Sequence, residues 1–388
     1  MSHYDDLETR SEDERATAQL EALRAQLART GSTARVSDLS DLAALPVLRK
    51  SELAARQAAK PPFGGMHVGD VGQVFQSPGP IYEPGGLGHD WWRMGRFLHA
   101  CGIGPSDTVQ NCFGYHLTPA GMIFESGARA VGARVLPAGT GQTDLQVRAA
   151  RDLGCTAYAG TPDYLKVILD RADELGETLA FTRAAVGGGA LFPSLRAEYQ
   201  DRGIATLQCY ATADLGNIAY ESEAMEGMIV DEGVILEIVR PGTGTPVAAG
   251  EVGEVVVTTL NPDYPLIRFA TGDLSALLEG RSPCGRTNRR IKGWMGRADQ
   301  TAKVKGMFVR PEQVADLVAR HPEIRAARVT VTREGEMDAM DVQVEADGGD
   351  EAAWAASVAQ VLKLRGRVSR VDALPNDGIV IDDRRVYD

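Results

Sequence analysis

Apolar residues recur at helical spacing near the start of the chain. Leu20, Leu23 and Leu27 lie three or four positions apart, with charged residues around them. Because an α-helix turns once in about 3.6 residues, this spacing places the three leucines on one face. The pattern predicts an amphipathic helix over residues 11–30, followed by a short helix, a turn at Pro46 and the start of another helix.

Strand-like and helix-like stretches alternate through the next part of the chain. The predicted helices cover residues 90–101, 118–132, 143–154 and 163–176, and the predicted strands cover residues 107–115, 133–139 and 155–160. The connections are short, and several of the helices end at a glycine. Such alternation predicts an α/β domain with a largely parallel sheet.

The pattern changes at Gly227 and again near Gly296. The first change begins β-rich segments, and the second begins a helix–strand–strand–helix–strand series. We therefore predict an α/β protein with a large N-terminal domain of mixed and parallel sheets, helices and a small β-rich part. A small, mobile α+β C-terminal domain follows it, with boundaries at residues 1–298 and 299–388.

Composition narrows the classes of function. The chain has 388 residues, 44% hydrophobic and 24% charged, which is typical of a soluble protein with a sizeable core. Its formal net charge of -12 disfavours binding to nucleic acid or to an anionic membrane surface. The five cysteines form no CxxC pair, so neither a zinc site nor a disulfide framework is indicated. The polar, acidic N-terminus predicts a cytoplasmic protein.

Two segments resemble one family closely. Residues 264–278 (YPLIRFATGDLSALL) and residues 284–314 (CGRT…RRIKGWMGRADQ…KVKGMFVRPEQV) are similar to the phenylacetate–CoA ligase-like branch of the adenylate-forming, AMP-binding superfamily. Residues 114–143 and 160–165 match the same family more weakly. The resemblance implies ATP or AMP, CoA and Mg²⁺ as cofactors and a small carboxylic acid as substrate. It leaves a homodimer open.

The resemblance implies a nucleotide site assembled from several short segments. Asp273 is implied to accept the ribose hydroxyls, and Arg297 to donate to the same ribose or to a phosphate. Tyr210 is implied to stack on adenine, Thr212 to donate to a phosphate, and Asp214 to help hold Mg²⁺. The other residues implied at the cofactor are Gly187, Gly188, Gly189, Ala190, Ala211 and Ile291.

An acyl pocket and a CoA channel are implied in the same way. Phe113, Tyr115 and His116 lie in the family's aromatic segment and would pack against an aryl or arylacetyl group. Lys305 and Gly306 would line the CoA tunnel after the small domain rotates, and Asp299 would be the hinge.

Each of these residues also has a purely structural interpretation. Asp273 can be an ordinary turn aspartate, and Arg297 one half of a surface ion pair. Tyr210 can be a core aromatic, and His116 a buried structural histidine. Exposed lysines such as Lys305 are often simply solvated charges.

Two departures from the family pattern bear on catalysis. The expected phosphate loop of hydroxyls and amides is replaced by residues 76–86 (QSPGPIYEPGG), in which Pro78 and Pro80 carry no N–H and Glu83 adds negative charge. Near the end of the chain, Ile379 follows Gly378 where the family has a lysine that contacts the carboxylate and the α-phosphate.

The sequence therefore favours an AMP-forming acid–CoA ligase, acting through an acyl-adenylate on an aromatic, phenylacetate-like acid. Because of Ile379 and the altered loop, two alternatives stay open. One is an adenylation-impaired homologue that binds nucleotide or acyl-CoA. The other is an adenylyl or acyl transferase with an acceptor other than CoA.

Overall fold

The computed structural model describes residues 3–78, 80–298, 300–304, 307–334 and 337–385. Its α-helices are α1 (Glu12–Arg29), α2 (Lys50–Ala59), α3 (Gly95–Ala100), α4 (Ala120–Ala130), α5 (Thr143–Asp152), α6 (Pro162–Leu175), α7 (Pro193–Asp201), α8 (Pro311–Ala319) and α9 (Glu351–Val361). None of these helices is both long enough and apolar enough to cross a bilayer.

The strands are distributed between residues 48 and 383. They are β1 (Leu48–Arg49), β2 (Gln73–Ser77), β3 (Ile81–Gly85), β4 (Thr108–Asn111), β5 (Arg134–Pro137), β6 (Ala157–Gly160), β7 (Arg183–Val186), β8 (Ala205–Thr212), β9 (Gly216–Tyr220), β10 (Met228–Val230), β11 (Val234–Val239), β12 (Gly253–Thr259), β13 (Phe269–Ser275), β14 (Leu277–Leu278), β15 (Arg290–Ile291), β16 (Ala302–Val304), β17 (Met307–Val309), β18 (Ile324–Glu334), β19 (Met337–Ala346), β20 (Arg367–Val371) and β21 (Ile381–Asp383). The mixed α/β class predicted from the sequence is confirmed.

The chain forms two compact units. The first contains residues 1–236, 257–269 and 278–293, and the second contains residues 237–256, 270–277 and 294–388. Each unit is thus assembled from segments that are separated in the sequence.

A nine-stranded sheet organises the first unit, in the order β14-β15-β10-β9-β8-β7-β6-β4-β5. Strands β5, β4, β6, β7 and β8 are parallel, whereas β8, β9, β10 and β15 pair in antiparallel fashion. Successive side chains of a strand point to opposite faces. Accordingly, Ala157 and Ala159 lie in the core that contains α3 and α4, and Tyr158 lies in the core under α5, α6 and α7. Both faces of the parallel strands are covered.

Helix α3 is shorter than predicted. The apolar pattern predicted a helix over residues 90–101, but α3 begins only at Gly95. Asp90 and Arg93 adopt φ values of 45° and 60°, in the left-handed region, which a right-handed helix cannot contain. The Asp90 carboxylate accepts a hydrogen bond from the Gly95 N–H at 3.0 Å. The Asp90 carboxylate thus ties the preceding turn to the first N–H of α3.

The second unit contains a small α+β fold. Its sheet has the order β20-β19-β18-β21, with β18 and β19 antiparallel and the two outer strands parallel to their neighbours. Helices α8 and α9 pack on this sheet, and Trp354 of α9 is completely buried. The helix and strand series predicted for the end of the chain is confirmed, while the boundary at residues 298 and 299 stays a prediction.

Candidate active site

The predicted acyl and nucleotide segments follow the carboxyl ends of adjacent parallel strands. Phe113 comes soon after β4, Thr161 directly after β6, and Gly187 directly after β7. Strand β8, the next in the sheet, ends at Thr212. In open α/β sheets, ligands bind at this edge of the sheet, so the fold brings these segments to a plausible ligand site.

The glycine loop after β7 lies against the aromatic residue of the predicted acyl segment. A Cβ atom added to Gly188 would lie 3.5 Å from Phe113 Cε1 and 3.8 Å from Thr161 Cγ2. Gly188 has a φ of +69°, which side chains other than glycine rarely adopt. At Gly187 a Cβ would lie 2.9 Å from Cys209 Sγ, closer than packed atoms normally come. The loop can approach β8 because it is built of glycine.

The three residues predicted to form an aryl pocket have different environments. Phe113 is buried, Tyr115 is half-buried and His116 is exposed. The Tyr115 hydroxyl accepts a hydrogen bond from Asn111 Nδ2 at 2.8 Å. Burial and the neighbouring Glu125 carboxylate raise the pKa of Tyr115, so its proton is firmly held. The structure therefore does not bring all three side chains onto one buried surface, and the buried-histidine interpretation of His116 is wrong.

Tyr210, Thr212 and Asp214 lie together at the end of β8. Tyr210 is only 8% exposed, and Ala211 and Thr212 are half-buried. The Thr212 hydroxyl accepts a hydrogen bond from the Leu215 N–H at 3.1 Å, which shapes the turn that carries Asp214. That acceptor role leaves the Thr212 hydroxyl proton available for donation. The predicted donation to a phosphate is compatible with this geometry.

Asp214 has a partner that sequence reasoning missed. Its side chain is fully buried, and its Oδ2 lies 2.6 Å from Lys50 Nζ, at the start of α2. Its other oxygen, Oδ1, has no hydrogen-bond partner among the residues described. Because Lys50 and Asp214 are 164 positions apart, no local motif could have revealed the pair.

Two further buried polar groups, Glu83 and Tyr264, interact electrostatically with Asp214. Burial and the Asp214 charge raise the pKa of Glu83 to about 7, although Ser77 and Lys50 oppose the shift. Burial and the charges of Asp214 and Glu83 raise the pKa of Tyr264. Neither the Glu83 carboxylate nor the Tyr264 hydroxyl makes a well-aligned hydrogen bond within the described chain. The Glu83 carboxylate and the Tyr264 hydroxyl therefore keep hydrogen-bonding capacity that the described residues do not use.

The predicted phosphate loop is the tip of a hairpin. Strands β2 and β3 are antiparallel, with Ser77 opposite Ile81 and Phe75 opposite Glu83. The tip includes Pro78 and Pro80, and its middle residue, Gly79, lies outside the described residues. Glu83 is completely buried, and with a pKa of about 7 its carboxyl is partly protonated near neutral pH. The negative charge predicted from the sequence is thus partly suppressed.

In the second unit, the two residues predicted to bind ribose meet directly. Arg297 Nη1 lies 2.9 Å from Asp273 Oδ1, and the two residues form an isolated β-bridge. Trp294, which sequence reasoning missed, donates from its indole Nε1 to the same oxygen at 3.1 Å and is 54% exposed. The Arg297 side chain is half exposed and Asp273 is buried, so the guanidinium and the Trp294 ring lie at the surface above a buried carboxylate.

The turn that carries Ile379 is also placed in the second unit. A Cβ on Gly378 would lie 3.0 Å from a methyl of Leu274, the residue after Asp273. Gln300 Nε2 donates to the Gly378 carbonyl at 3.0 Å, and Gln300 Oε1 accepts from the N–H groups of Val380 and Ile381. Within this unit, the turn and the Asp273 segment are therefore neighbours.

The arginines that could replace the missing lysine are already paired. Arg384 Nε lies 2.6 Å from Asp382 Oδ2. Arg385 lies 2.6 Å from Asp383 and 3.0 Å from Asp338, and its side chain is only 5% exposed. Both guanidinium groups are thus engaged in ion pairs.

Four predicted site residues lie outside the described chain or deep inside it. Asp299, Lys305 and Gly306 lie outside the described residues. Ile291 is completely buried in β15, opposite Met228 of β10, and its predicted cofactor role stays a prediction.

The chain is similar to proteins of known function. No family model matches it. It is 30% identical over 329 residues to the phenylacetate–coenzyme A ligase of Aromatoleum evansii, covering 80% of this chain and 73% of that protein. The chain belongs to the phenylacetate–CoA ligase family. It is also 29% identical over 366 residues to the enzyme of the same name from Escherichia coli K12, covering 89% of this chain and 82% of that protein.

Solved structures of acyl-CoA ligases share the fold of this family member. A 2-hydroxyisobutyryl-CoA ligase in its postadenylation state, bound to R3-HIB-AMP, matches with a TM-score of 0.70 and 23% identity, covering 97% of this chain and 91% of that chain. The same ligase in its thioesterification state, with 2-HIB-AMP and CoA, matches with a TM-score of 0.68.

The Asp273 cluster leads to a binding prediction. We expect AMP or ATP at 100 times its dissociation constant to stabilise the protein by about 2.7 kcal/mol. Asp273→Ala should lose most of this gain, because it removes the acceptor predicted for the ribose hydroxyls. Asp144→Ala, which breaks an exposed ion pair with Arg171, should keep it. Thermal unfolding at increasing nucleotide concentration measures the stabilisation of the wild type and of both variants. An equal response in Asp273→Ala would disprove the assignment of Asp273 to the nucleotide site.

Proposed function

We propose that this chain is an AMP-forming acid–CoA ligase. In the first half-reaction a carboxylate oxygen attacks the α-phosphorus of ATP, and pyrophosphate leaves. In the second, the CoA thiol attacks the acyl-adenylate carbonyl, AMP leaves, and a thioester forms. The observation that carries the proposal is the sequence identity to phenylacetate–CoA ligases over most of the chain. Asp273 and Arg297, in the segments that resemble the family most closely, meet at 2.9 Å, which is compatible with it.

The two half-reactions require different residues. The first needs donors for the pyrophosphate and for the developing charge at the α-phosphate. Thr212 and Arg297 are the proposed donors there. The second requires CoA to reach the acyl-adenylate, for which Lys305 and Gly306 are proposed to line the channel. Rotation of residues 299–388 about Asp299 is proposed to exchange one arrangement for the other.

Asp214 is the proposed Mg²⁺ ligand, and its surroundings fit that role in one respect. Its Oδ1 is buried without a partner among the described residues, and Mg²⁺ commonly binds one or two carboxylates together with substrate phosphates. No group of three histidine, cysteine or acidic residues is arranged for a metal in the described ranges. The ion would neutralise phosphate charge, and this chain's part is to hold Asp214 in place through Lys50.

A second candidate function follows from specific observations. Pro78, Pro80 and Ile379 weaken phosphate and carboxylate contacts in the first half-reaction only. Since Arg385 is buried in ion pairs with Asp383 and Asp338, it does not restore the lost charge. An adenylation-impaired homologue that binds nucleotide or acyl-adenylate is therefore the alternative. A cytoplasmic location is proposed for either function.

Pyrophosphate release distinguishes the two functions. The protein is incubated with ATP, Mg²⁺ and a panel of carboxylic acids, with and without CoA. The ligase should release pyrophosphate only when an acid is present and should form thioester only when CoA is added. If nucleotide binds but neither pyrophosphate nor thioester forms with any acid, the binding protein is favoured over the ligase. Acid-independent release would also overturn the ligase proposal, because water would then be the group that attacks the α-phosphorus.

A further inference from the structure

Two phenylalanine rings of the protein stack on each other at the predicted aryl segment. Phe113, the buried aromatic of that segment, stacks on Phe124 of α4, with ring centroids 4.1 Å apart and planes inclined by 27°. The two rings are 7% and 5% exposed. A substrate ring could take a stacked position on that face of Phe113 only by displacing Phe124.

The stacked pair lies where the acyl group is expected. Phe113 approaches Gly188 as described above, and a Cβ on Gly187 would lie 3.6 Å from Phe124 Cζ. Both rings therefore lie directly against the glycine loop after β7. Cys209, next to Tyr210, contacts the same loop. Phe124 is thus a core residue that lies beside both the glycine loop and the predicted acyl segment.

Phe124 is also held firmly. Phe97 of α3 packs edge-on against it, with centroids 6.4 Å apart and planes at 84°. Both belong to the main core of the first unit. Protein interiors are close-packed, so a buried ring between two others cannot move aside without opening a void or displacing its neighbours. The Phe124 ring therefore forms a rigid boundary at this end of the predicted acyl site.

We propose that Phe124 determines acid specificity by shortening the acyl site, so that the enzyme takes compact aliphatic carboxylic acids in preference to arylacetic acids. This inference rests on the proposed ligase function. It differs from the expectation of a phenylacetate-like substrate, which the family resemblance implied. The physical basis is steric: the volume that an aryl ring would need is already filled by the Phe124 ring.

The wild-type protein tests the proposal without any substitution. Rates of acid-dependent CoA consumption are measured for propionate, isobutyrate, benzoate and phenylacetate. One additional methylene in an apolar pocket changes kcat/KM by about 10–200-fold. We therefore expect kcat/KM for propionate or isobutyrate to exceed that for phenylacetate by at least about tenfold. Phenylacetate turned over as well as or better than the aliphatic acids would overturn the proposal.

Substitution of Phe124 should reverse the preference. Phe124→Ala removes a whole ring, and apolar cavities of about 150 Å³ in proteins bind benzene. We expect kcat/KM for phenylacetate to rise by at least about tenfold, while that for the aliphatic acids falls. Phe124→Leu, which retains most of the core packing, should give a smaller change in the same direction and serves if the alanine variant does not fold.

The matched control is Phe97→Leu. It alters packing against the same ring but leaves Phe124 in place, so it should lower stability without changing the order of acid preference. An equal shift in Phe97→Leu and Phe124→Leu would show a general loosening of the core and would overturn a specific role for Phe124. Absence of turnover with every acid in the wild type, while nucleotide still binds, would instead indicate failure of the ligase proposal.

Discussion

Thioester formation started from a synthetic acyl-AMP and CoA is expected to be about 10²–10³ times faster than turnover started from the acid and ATP. The reason is that the departures from the family pattern affect only the first half-reaction. Loss of a single donor to a developing oxyanion typically costs this factor in rate. Nothing in the second half-reaction requires pyrophosphate to be held.

The structure strengthens this expectation at two places. The hairpin between β2 and β3 has Pro78 and Pro80 at its tip, which offer no N–H to a phosphate. At the other end of the chain, Ile379 lies on a turn beside the Asp273 segment, where the resemblance places a lysine. The buried ion pairs of Arg385 keep that cation from serving instead.

Single-turnover rapid-quench experiments measure the two rates directly, because slow product release then cannot mask either of them. The same protein preparation is used for both reactions, with saturating CoA. Asp273→Ala serves as a control that should slow both reactions, since both need a bound adenylate. Equal single-turnover rates from acyl-AMP and from acid with ATP would show that adenylation is intact.

Replacing Ile379 by lysine should accelerate acid-dependent pyrophosphate release by about 10–150-fold. A charge-assisted hydrogen bond is worth roughly 1.5–3 kcal/mol, and it converts to that factor if it forms only in the transition state. Thioester formation from acyl-AMP should barely change, because that step has no attacking acid to orient. The variant therefore increases the rate of one half-reaction selectively.

The local structure permits the substitution. Ile379 is 36% exposed, so a longer side chain can extend into solvent without entering the core. Its N–H is held by Asp377 Oδ1 at 2.9 Å, and that carboxylate is also bound by Arg328. The acidic side chain two positions before the new lysine is thus already paired. The turn itself stays anchored through Gln300.

Two control variants complete this experiment. Ile379→Met tests side-chain length without charge and should leave pyrophosphate release unchanged. Arg384→Ala, in an exposed ion pair, should also leave it unchanged if that arginine plays no part. If Ile379→Lys folds normally and gains nothing, the turn does not reach the reacting groups, or the hairpin tip limits the reaction. If Arg384→Ala abolishes release, that arginine already supplies the charge.

Most of the secondary structure and the family could be inferred from the sequence. The leucines of α1 and the alternating units from β4 to α6 follow from local periodicity, which depends only on residues a few positions apart. The segments around Asp273 and Arg297 identified the family because their motifs are contiguous. One exception was α3, where the left-handed conformations of Asp90 and Arg93 override an apolar pattern that looks helical. Strand β7 and helix α7 were not predicted.

The amino-acid sequence by itself determined most of the helices and strands, the family and the identity of the candidate nucleotide residues. The tertiary structure alone decided which groups meet: Lys50 with Asp214, Phe124 on Phe113, and Arg385 with Asp338. Periodicity and motifs report neighbours along the chain, whereas these contacts join residues of different elements. Their formation depends on how the whole core packs, so no local pattern could reveal that an aromatic ring of α4 stacks on Phe113.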